Sequence, residues 1–291
     1  MDPKIGIVVN AVKAAADTPF PPGLEATLGA AAFAGALDEI SDWPGYARTP
    51  LRHLASLAGE LGFADIVYKD EASRFGLGSF KALGGAYAVL RCLERALRAA
   101  SITDPITSAD LMAGRYRDIS ATITVTSATD GNHGRSVAWG ARLFGCRVVI
   151  FVHANVSDGR CRAIESYGAD VERVPGKYDN SVRRAFEVAA QEVWFVVQDT
   201  ATAGYRDIPA DITCGYGVIA AEVIDQIGRP PAHVLVQAGV GGVASAVCAR
   251  VGQAWGRARP ASSCSSRSTR PVSRPASRQG AASTSMATPR R

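Results

Sequence analysis

The hydrophobic and polar residues of this chain follow two alternating spacings. Apolar residues recur on one helix face in several segments, which predicts helices over 80–98, 133–144, 159–167, 181–191 and 212–227. Between them, short runs rich in Val, Ile and Thr predict strands over 65–69, 121–126, 147–153, 170–174, 194–197 and 233–237. Strands that alternate with helices in this way predict right-handed crossovers, a mostly parallel sheet and an α/β fold.

The chain before residue 65 has a weaker pattern. Residues 25–40 are predicted as a helix, and the W-P-G-Y sequence at 43–46 as a turn. Apolar residues recur at helical spacing over 49–61, so this segment is predicted as a second helix. The P-F-P-P sequence at 19–22 is predicted to end any helix that precedes it.

Composition changes abruptly after residue 256. Residues 257–291 contain eight arginines and no acidic residue, and Val272 and Met286 are their only large aliphatic residues. Such a segment cannot bury enough apolar surface to order itself, so we predict a disordered tail. The hypothesis we favour is that the reading frame is lost near Arg257, because a G/C-rich gene read out of frame yields this composition. A basic arm that contacts acidic surfaces is the alternative.

Charge and cysteine content exclude some classes of function. The net charge of +5 comes from the tail, since the rest of the chain has 24 basic and 27 acidic residues. A nucleic-acid partner is therefore not predicted. The six cysteines are widely separated and form no C-x-x-C pair, which argues against a structural metal site and favours reduced thiols.

The start of the chain does not resemble an export signal. An acidic residue at position 2 and a short apolar run do not fit a signal peptide. The Ala-rich stretch at 28–37 is too short to span a bilayer. We therefore expect a cytoplasmic protein without a membrane partner.

The first candidate for chemistry is Lys81, in the sequence G-L-G-S-F-K-A-L-G-G at 76–85. The glycines allow a cofactor to approach the backbone closely. A partly dry pocket lowers the pKa of a lysine amine and makes it a nucleophile, and the first turn of the following helix also disfavours an ammonium. An exposed lysine at a helix start is the alternative interpretation.

Two acidic residues follow predicted strands. Asp130 lies in the sequence T-S-A-T-D-G-N-H-G at 126–134, and Asp199 in Q-D-T-A-T-A-G-Y at 198–205. Ligands of parallel α/β sheets bind at the carboxyl ends of strands, so both positions indicate a site. Each acid also has a structural alternative: Asp130 as an ordinary turn residue, and Asp199 as the N-cap of a helix.

A glycine loop follows the last predicted strand and comprises Gly239, Val240, Gly241, Gly242 and Val243. Its backbone N–H groups and the start of the next helix are suited to bind a phosphate. The same letters fit a loose dinucleotide fingerprint, G-x-G-x-x-A, but the acidic residue expected about 20 residues later is missing. A dinucleotide is therefore the weaker hypothesis.

Three motifs together resemble one enzyme family. Residues 68–85, 128–135 and 198–205, in this order, are similar to diaminopropionate ammonia-lyase, a fold-type II enzyme of the threonine dehydratase and tryptophan synthase β group. The resemblance covers about residues 20–256 and implies homodimers. It also implies two parallel-sheet α/β domains, the larger one incomplete here. The implied segments are a large domain at 1–92 and 211–256, an inserted smaller domain at 93–210, and the tail at 257–291.

The resemblance further implies a pyridoxal phosphate cofactor. Lys81 would bind it covalently, Phe80 and Asn132 would contact it, and the loop 239–243 would hold its phosphate. Ser79 is a weaker candidate for a contact on the cofactor side. No metal ion is implied, and the partner of the cofactor's pyridine nitrogen is expected beyond residue 256.

The reaction implied by the resemblance is the α,β-elimination of 2,3-diaminopropionate to pyruvate and two molecules of ammonia. Lys81, Asp130 and Asp199 would be its catalytic residues, and Thr129 would join both acids in the substrate site. Dehydratases of this group have a small hydroxyl residue at the position of Asp130, whereas a carboxylate can pair with a β-ammonium group. A serine/threonine dehydratase is the second hypothesis, and an inactive fragment the third.

Overall fold

The computed structural model describes residues 22–265. Its helices are α1 Pro22–Leu28, α2 Ala30–Ser41, α3 Ala55–Leu61, α4 Lys81–Ala99, α5 Ser108–Met112, α6 Arg117–Ser120, α7 Asn132–Phe144, α8 Asp158–Glu165, α9 Tyr178–Glu192, α10 Asp207–Ile227 and α11 Gly242–Trp255. Its strands are β1 Leu51–His53, β2 Val67–Lys69, β3 Thr124–Ala128, β4 Arg147–His153, β5 Asp170–Val174, β6 Phe195–Val196, β7 His233–Gln237 and β8 Ala261–Ser265.

Four strands form a parallel sheet in the order β5-β4-β3-β6, which confirms the predicted parallel arrangement. Strand β3 lies inside the sheet, and all five of its residues are buried. Helices α7 and α9 pack against the sheet. Because β3 and β6 are parallel neighbours, the segments that follow them begin side by side at one edge of the sheet.

A helical layer is built around α4, which packs against α7 and α10, while α10 also packs against α2 and α11. The buried face of α4 contains Leu83, Leu90 and Leu93, at the spacing of one helix face. The contact between α4 and α7 leaves no room for side chains at two glycines. A Cβ on Gly140 would lie 2.6 Å from the Cα of Ala86, and a Cβ on Gly85 would overlap Ser136 Oγ.

A buried charge cluster, composed of Lys69, Glu71, Arg74 and Glu222, joins α10 to the segment before α4. Arg74 donates hydrogen bonds to both carboxylate oxygens of Glu222, at 2.8 and 2.9 Å, and to both of Glu71, at 2.8 and 2.9 Å. Lys69 Nζ donates to Glu222 Oε2 at 2.6 Å. Each charge thus has an opposite partner, and the cluster anchors the chain shortly before Lys81.

The predicted helix over 49–61 is wrong in its first half. Leu51–His53 forms β1, which pairs antiparallel with β2, and only Ala55–Leu61 is helical. The pairing places His53 opposite Val67. A spacing pattern within one short segment contains no information on such a partner, so local periodicity gave the wrong element.

Strand β8 extends the regular structure beyond residue 257, where the disordered tail was predicted to begin. It runs parallel to β7, from Ala261 opposite His233 to Ser265 opposite Gln237. All five of its side chains are exposed, so the strand depends on backbone hydrogen bonds, which composition does not reveal. The rest of the predicted tail, 266–291, and the N-terminal residues 1–21 lie outside the described residues.

The four-stranded sheet lies entirely within residues 93–210, and β1, β2, β7 and β8 lie outside that range. The domain boundaries predicted from the sequence stay a prediction. No helix among residues 22–265 is both long and apolar enough to cross a membrane. In the same residues, no group of His, Cys, Asp and Glu side chains could hold a metal ion.

Candidate active site

Lys81 is the first residue of α4, and its side chain is 23% exposed. Its Nζ donates a hydrogen bond to Asp199 Oδ2 at 2.7 Å. The same ammonium lies 5.6 Å from the centroid of the Phe80 ring and 5.4 Å from that of the Tyr216 ring. Two aromatic faces and one carboxylate therefore surround the amine, which excludes the interpretation of Lys81 as a freely exposed lysine.

The segment before Lys81 adopts left-handed backbone conformations at three positions. Phe75, Gly76 and Gly78 have φ values of 49°, 71° and 69°. Glycine adopts such values without a steric penalty. Phe75 is held in this conformation by packing against Trp139, whose ring centroid lies 4.8 Å from that of Phe75. The glycines that the sequence suggested as room for a cofactor thus also turn the chain between the buried charge cluster and Lys81.

The predicted fall in the Lys81 pKa is wrong. Burial alone lowers this pKa, but the nearby Tyr216 and Asp199 raise it by more, so the pKa lies above the usual range of lysine. For Asp199, burial raises the pKa, while the positive charges of His133, when it is protonated, and of Lys81 lower it by more. At neutral pH the two side chains form an ion pair. Local sequence could not reveal it, because the partners are 118 residues apart.

Gln198 holds Asp199 in position. Its Oε1 accepts a hydrogen bond from the backbone N–H of Ala128 at 3.2 Å, and its Nε2 donates to the Tyr178 hydroxyl at 2.6 Å. The Tyr205 hydroxyl accepts from the backbone N–H of Gln198 at 2.8 Å. The Q-D-T-A-T-A-G-Y motif therefore forms a frame around Asp199. Helix α10 begins well beyond this acid, so the N-cap interpretation is wrong.

Thr129 holds the turn that follows β3. Its Oγ1 accepts hydrogen bonds from the backbone N–H groups of Gly131 and Gly134, at 3.0 and 3.1 Å. The side chain of Asp130 is exposed and has no hydrogen-bond partner within residues 22–265, so Thr129 is the turn-forming residue. Arg160 Nη1 donates to the backbone oxygen of Asp130 at 3.1 Å. The Asp130 carboxylate is thus available to a ligand.

His133 is buried in the first turn of α7. Its Nε2 lies 2.8 Å from the carbonyl oxygen of Val197, an arrangement in which Nε2 carries the proton and donates. Burial lowers the His133 pKa; Asp199 opposes this shift and Lys81 adds to it. We therefore assign His133 as a neutral residue that fixes the start of α7 against the strand end before Asp199.

One cavity of about 380 Å³ brings together most of the predicted site residues: Lys81, Thr129, Asp130, Asn132, Asp199, Gly239 and Val240. Phe80, Gly241, Gly242 and Val243 do not line it. Five further wall residues were not predicted: Ala128, Gly131, His133, Arg160 and Tyr178. Arg160 and Tyr178 lie in the helices after β4 and β5. Their positions just past strand ends were the signal that could have identified them.

The glycine loop forms an open cradle at the start of α11. Gly241 has a φ of 98° and precedes the first helical residue, Gly242. A Cβ on Gly239 or Gly241 would meet no heavy atom within 4 Å, so the space around the loop is open. The N–H groups in the first turn of a helix lack intrahelical partners and favour an anion. The cradle therefore has the geometry of a phosphate site.

Comparison with known proteins supplies an independent observation. A family model described as "Pyridoxal-phosphate dependent enzyme" matches residues 43–285, which extends past residue 256. The chain is 38% identical over 208 residues to the diaminopropionate ammonia-lyase of Salmonella typhimurium, covering 70% of this chain and 51% of that protein. For the Escherichia coli K12 protein of the same name the identity is 41%, covering 70% and 50%. The chain thus spans about half the length of these curated relatives.

Solved structures are similar in the same way. Escherichia coli diaminopropionate ammonia lyase in apo form gives a TM-score of 0.74 at 35% identity, covering 82% of this chain and 64% of that chain. The same protein in complex with D-serine gives 0.75 at 35% identity, covering 82% and 60%. Maize serine racemase, at 17% identity and a TM-score of 0.60, shares the fold and covers 80% and 60%.

Proposed function

Because the chain belongs to the family of pyridoxal-phosphate dependent enzymes, with a fold-type II architecture, we propose that it catalyses α,β-elimination of the β-ammonia from 2,3-diaminopropionate. Water then hydrolyses the released enamine to pyruvate and the second ammonia. Two observations support this reaction: the relatives of 38–41% identity carry the corresponding name, and the cavity contains a carboxylate, Asp130, that has no hydrogen-bond partner within residues 22–265. The Asp130 carboxylate is the observation that favours an ammonia-lyase over a dehydratase, since a dehydratase does not need a carboxylate at this position.

The described residues fit pyridoxal phosphate at both ends of that cofactor. Lys81 offers an amine in the cavity wall, and the cradle of Gly239 and Gly241 offers open space and helix N–H groups for a phosphate. Asn132 lines the cavity near them and remains a candidate contact. When bound, the cofactor supplies an electron sink for the pair left at the substrate Cα when a proton is removed.

Asp199 controls the protonation of Lys81. An ammonium is neither a nucleophile nor a base, so Lys81 acts only after it loses a proton. Asp199 Oδ2, at 2.7 Å from Nζ, is the group within reach of that proton. In the proposed reaction the freed Nζ accepts the Cα proton of one substrate enantiomer.

Asp130 is the second base of the proposed reaction. Its exposed carboxylate accepts the Cα proton of the other enantiomer or pairs with the β-ammonium group of the substrate. Thr129 shapes the turn that presents this carboxylate. A direct contact of Thr129 with substrate remains a proposal, supported by its place in the cavity wall.

The test begins with the visible absorbance of the full chain mixed with pyridoxal phosphate, with Lys81→Ala as control. A band of lysine-bound cofactor that is absent from the variant is expected. D- and L-diaminopropionate should then each release pyruvate with two ammonia per pyruvate, and Asp130→Asn should remove activity on one enantiomer only. Faster turnover of L-serine or L-threonine would favour a dehydratase. The lack of any band in folded protein would leave an inactive fragment.

We further propose that the protein is a homodimer in the cytoplasm, with no nucleic-acid or membrane partner. Both the homodimer and the location are supported by the resemblance to the ammonia-lyases. Light scattering coupled to size-exclusion chromatography tests the dimer, and cell fractionation tests the location.

A further inference from the structure

Tyr216 is a buried tyrosine whose hydroxyl lacks a hydrogen bond. It lies on α10, is 1% exposed, and its Oη has no hydrogen-bond partner within the described residues 22–265. Lys81 lies close enough to this hydroxyl to affect its pKa through charge and a weak hydrogen-bonding interaction, but the pair does not reach the distance and angle of a hydrogen bond. Folded proteins rarely leave a buried hydroxyl unpaired, because the lost hydration is not compensated. When such a group lies beside a candidate ligand site, it is a candidate donor to the ligand.

The ring of Tyr216 is wedged between the Lys81 helix and the glycine loop. Its Cε1 would lie 2.5 Å from a Cβ on Gly84, and its Cε2 would lie 3.4 Å from a Cβ on Gly242. These two carbons flank the carbon that bears the hydroxyl. The hydroxyl end of the ring is therefore held between α4, which starts at Lys81, and the first residue of α11.

The first turn of α11 provides a second group of unpaired donors beside this hydroxyl. Its N-cap is Gly241, which has no side chain to accept from the first N–H groups. Helix N–H groups and a phenolic O–H are both donors, and both are oriented by rigid elements. A group with several acceptor oxygens and negative charge, such as a phosphate monoester, matches this set of donors.

We propose that the Tyr216 hydroxyl donates a hydrogen bond to the phosphate group held at the start of α11. This inference rests on the proposed function, because it takes the phosphate of the cofactor as the natural occupant. Burial raises the Tyr216 pKa to about 12, the positive charge of Lys81 partly opposing it. The hydroxyl hence keeps its proton at neutral pH and remains a donor.

The experiment compares three probes on the full chain: pyridoxal phosphate, pyridoxal and inorganic phosphate. Tyr216→Phe deletes only the hydroxyl, and a hydrogen bond to a charged group corresponds to an affinity change of about ten-fold or more. We expect the dissociation constants of pyridoxal phosphate and inorganic phosphate to rise by about that factor. The dissociation constant of pyridoxal, which has no phosphate, should not change.

Tyr116 offers a matched control. Its hydroxyl is also buried without a hydrogen-bond partner within residues 22–265, but Tyr116 precedes α6 and is not among the atoms nearest to a Cβ on Gly84 or Gly242. Tyr116→Phe should therefore leave the affinity for all three probes unchanged. If it weakens pyridoxal phosphate as much as Tyr216→Phe does, the proposal is overturned.

Thermal unfolding of the cofactor-free protein separates this role from a structural one. Deletion of an unsatisfied hydroxyl should leave the Tm unchanged or raise it, so Tyr216→Phe should bind phosphate less well without being less stable. A lowered Tm together with equal losses for pyridoxal and pyridoxal phosphate would mean that the hydroxyl supports Lys81 or the core, which overturns the proposal.

The remaining outcomes separate a failure of the proposed function from a failure of the Tyr216 assignment. If the wild-type protein binds neither pyridoxal phosphate nor inorganic phosphate, both the proposed function and this inference fail. If the wild type binds pyridoxal phosphate and Tyr216→Phe binds it equally well, the assignment of Tyr216 alone fails.

Discussion

Lys81, which the proposed function requires to act as a nucleophile, is held in this protein as an ammonium. The carboxylate of Asp199, kept in place by Gln198, holds the proton on Lys81 and raises the pKa of the amine against the effect of burial. A raised lysine pKa means that the pair stabilises the folded state below the usual lysine pKa, and that this contribution is lost as pH rises through the folded value. The same pair limits the fraction of neutral amine near pH 7.

The rate of cofactor attachment should consequently depend on pH through Asp199. In the wild type, the rate at which the lysine-bound absorbance band forms should increase steadily from pH 7 to pH 10, since only the neutral amine reacts. Asp199→Asn removes a charge that raises the pKa, so the profile shifts to lower pH. Asp118→Asn, an exposed acid on α6, is the control. An unshifted profile in Asp199→Asn would contradict this account.

For single residues, the sequence predicted the positions of the site residues better than their protonation states. Lys81, Asp130 and Asp199 meet in one cavity because strand ends and helix starts are local features that periodicity can locate. The pKa direction of Lys81 depends on a residue far away in sequence, and so it was predicted wrongly. Tyr216 was missed for another reason: a tyrosine between two glycines on an apolar helix is indistinguishable from core packing until its neighbours are known.

The contact between α4 and α7 fixes the position of α4, the helix that begins at Lys81. Gly85 on α4 directly faces Ser136 on α7. Gly85→Ala would force a methyl group into Ser136 Oγ, and we expect a loss of about 1–3 kcal/mol in the free energy of unfolding, measured with urea. Gly59, an exposed helical glycine with open space around it, is the matched control. There the same change should stabilise the protein by about 0.5–1 kcal/mol.

The contrast between these two glycines is the informative result. If Gly85→Ala stabilises the protein as Gly59→Ala does, α4 and α7 are not in the close contact described above, and the orientation of Lys81 would need another explanation.

The buried charge cluster links a second pair of elements, and its removal should be costly. Glu222→Gln leaves Lys69 without a charged partner and Arg74 with Glu71 alone, and we expect a loss of about 3–5 kcal/mol in the free energy of unfolding at pH 7. Asp225 lies on the same helix as Glu222 and forms an exposed ion pair with Arg48. Asp225→Asn should cost no more than about 1 kcal/mol. Equal losses for the two variants would contradict the importance of burial.

The free energy of unfolding at acidic pH should depend on the same charge cluster. Burial raises the Glu222 pKa, but Arg74 and Lys69 lower it by more, so the folded pKa is below its usual value. Stability from this group is present above the unfolded pKa and is lost as pH falls through the folded one. The difference between the wild type and Glu222→Gln should hence shrink on acidification. A constant difference from pH 7 to pH 3 would argue against this linkage.

Elements with a strong internal pattern were predicted well, and those that depend on a partner were not. Helices α4 and α7 and strands β4 and β5 follow from the spacing of their own residues. Strands β1 and β8 form because another strand lies beside them, at Val67–Lys69 and at His233–Gln237. Neither has an apolar face that would identify it in the sequence.

For the whole molecule, the small sheet of β7 and β8 leaves apolar surface exposed. Leu235 on β7 is 83% exposed, and unpaired sheet edges favour association with other chains. Leu235→Lys should therefore reduce concentration-dependent light scattering without lowering the Tm. Leu61→Lys places the same charge on an exposed leucine of α3, outside the sheet of β7 and β8. If Leu61→Lys reduces scattering as much as Leu235→Lys does, the added positive charge explains the reduced association, and the exposed sheet does not.

The ion pair of Lys81 also has a consequence for chemical labelling of the protein. Acylating and aldehyde reagents modify lysines in proportion to their free amine, so a residue with a raised pKa reacts slowly even where solvent reaches it. Lys81, although nearly a quarter exposed, should be among the least modified lysines in a proteome-wide amine survey at neutral pH. The residue with the most specific chemistry would then be the one best protected from unspecific electrophiles.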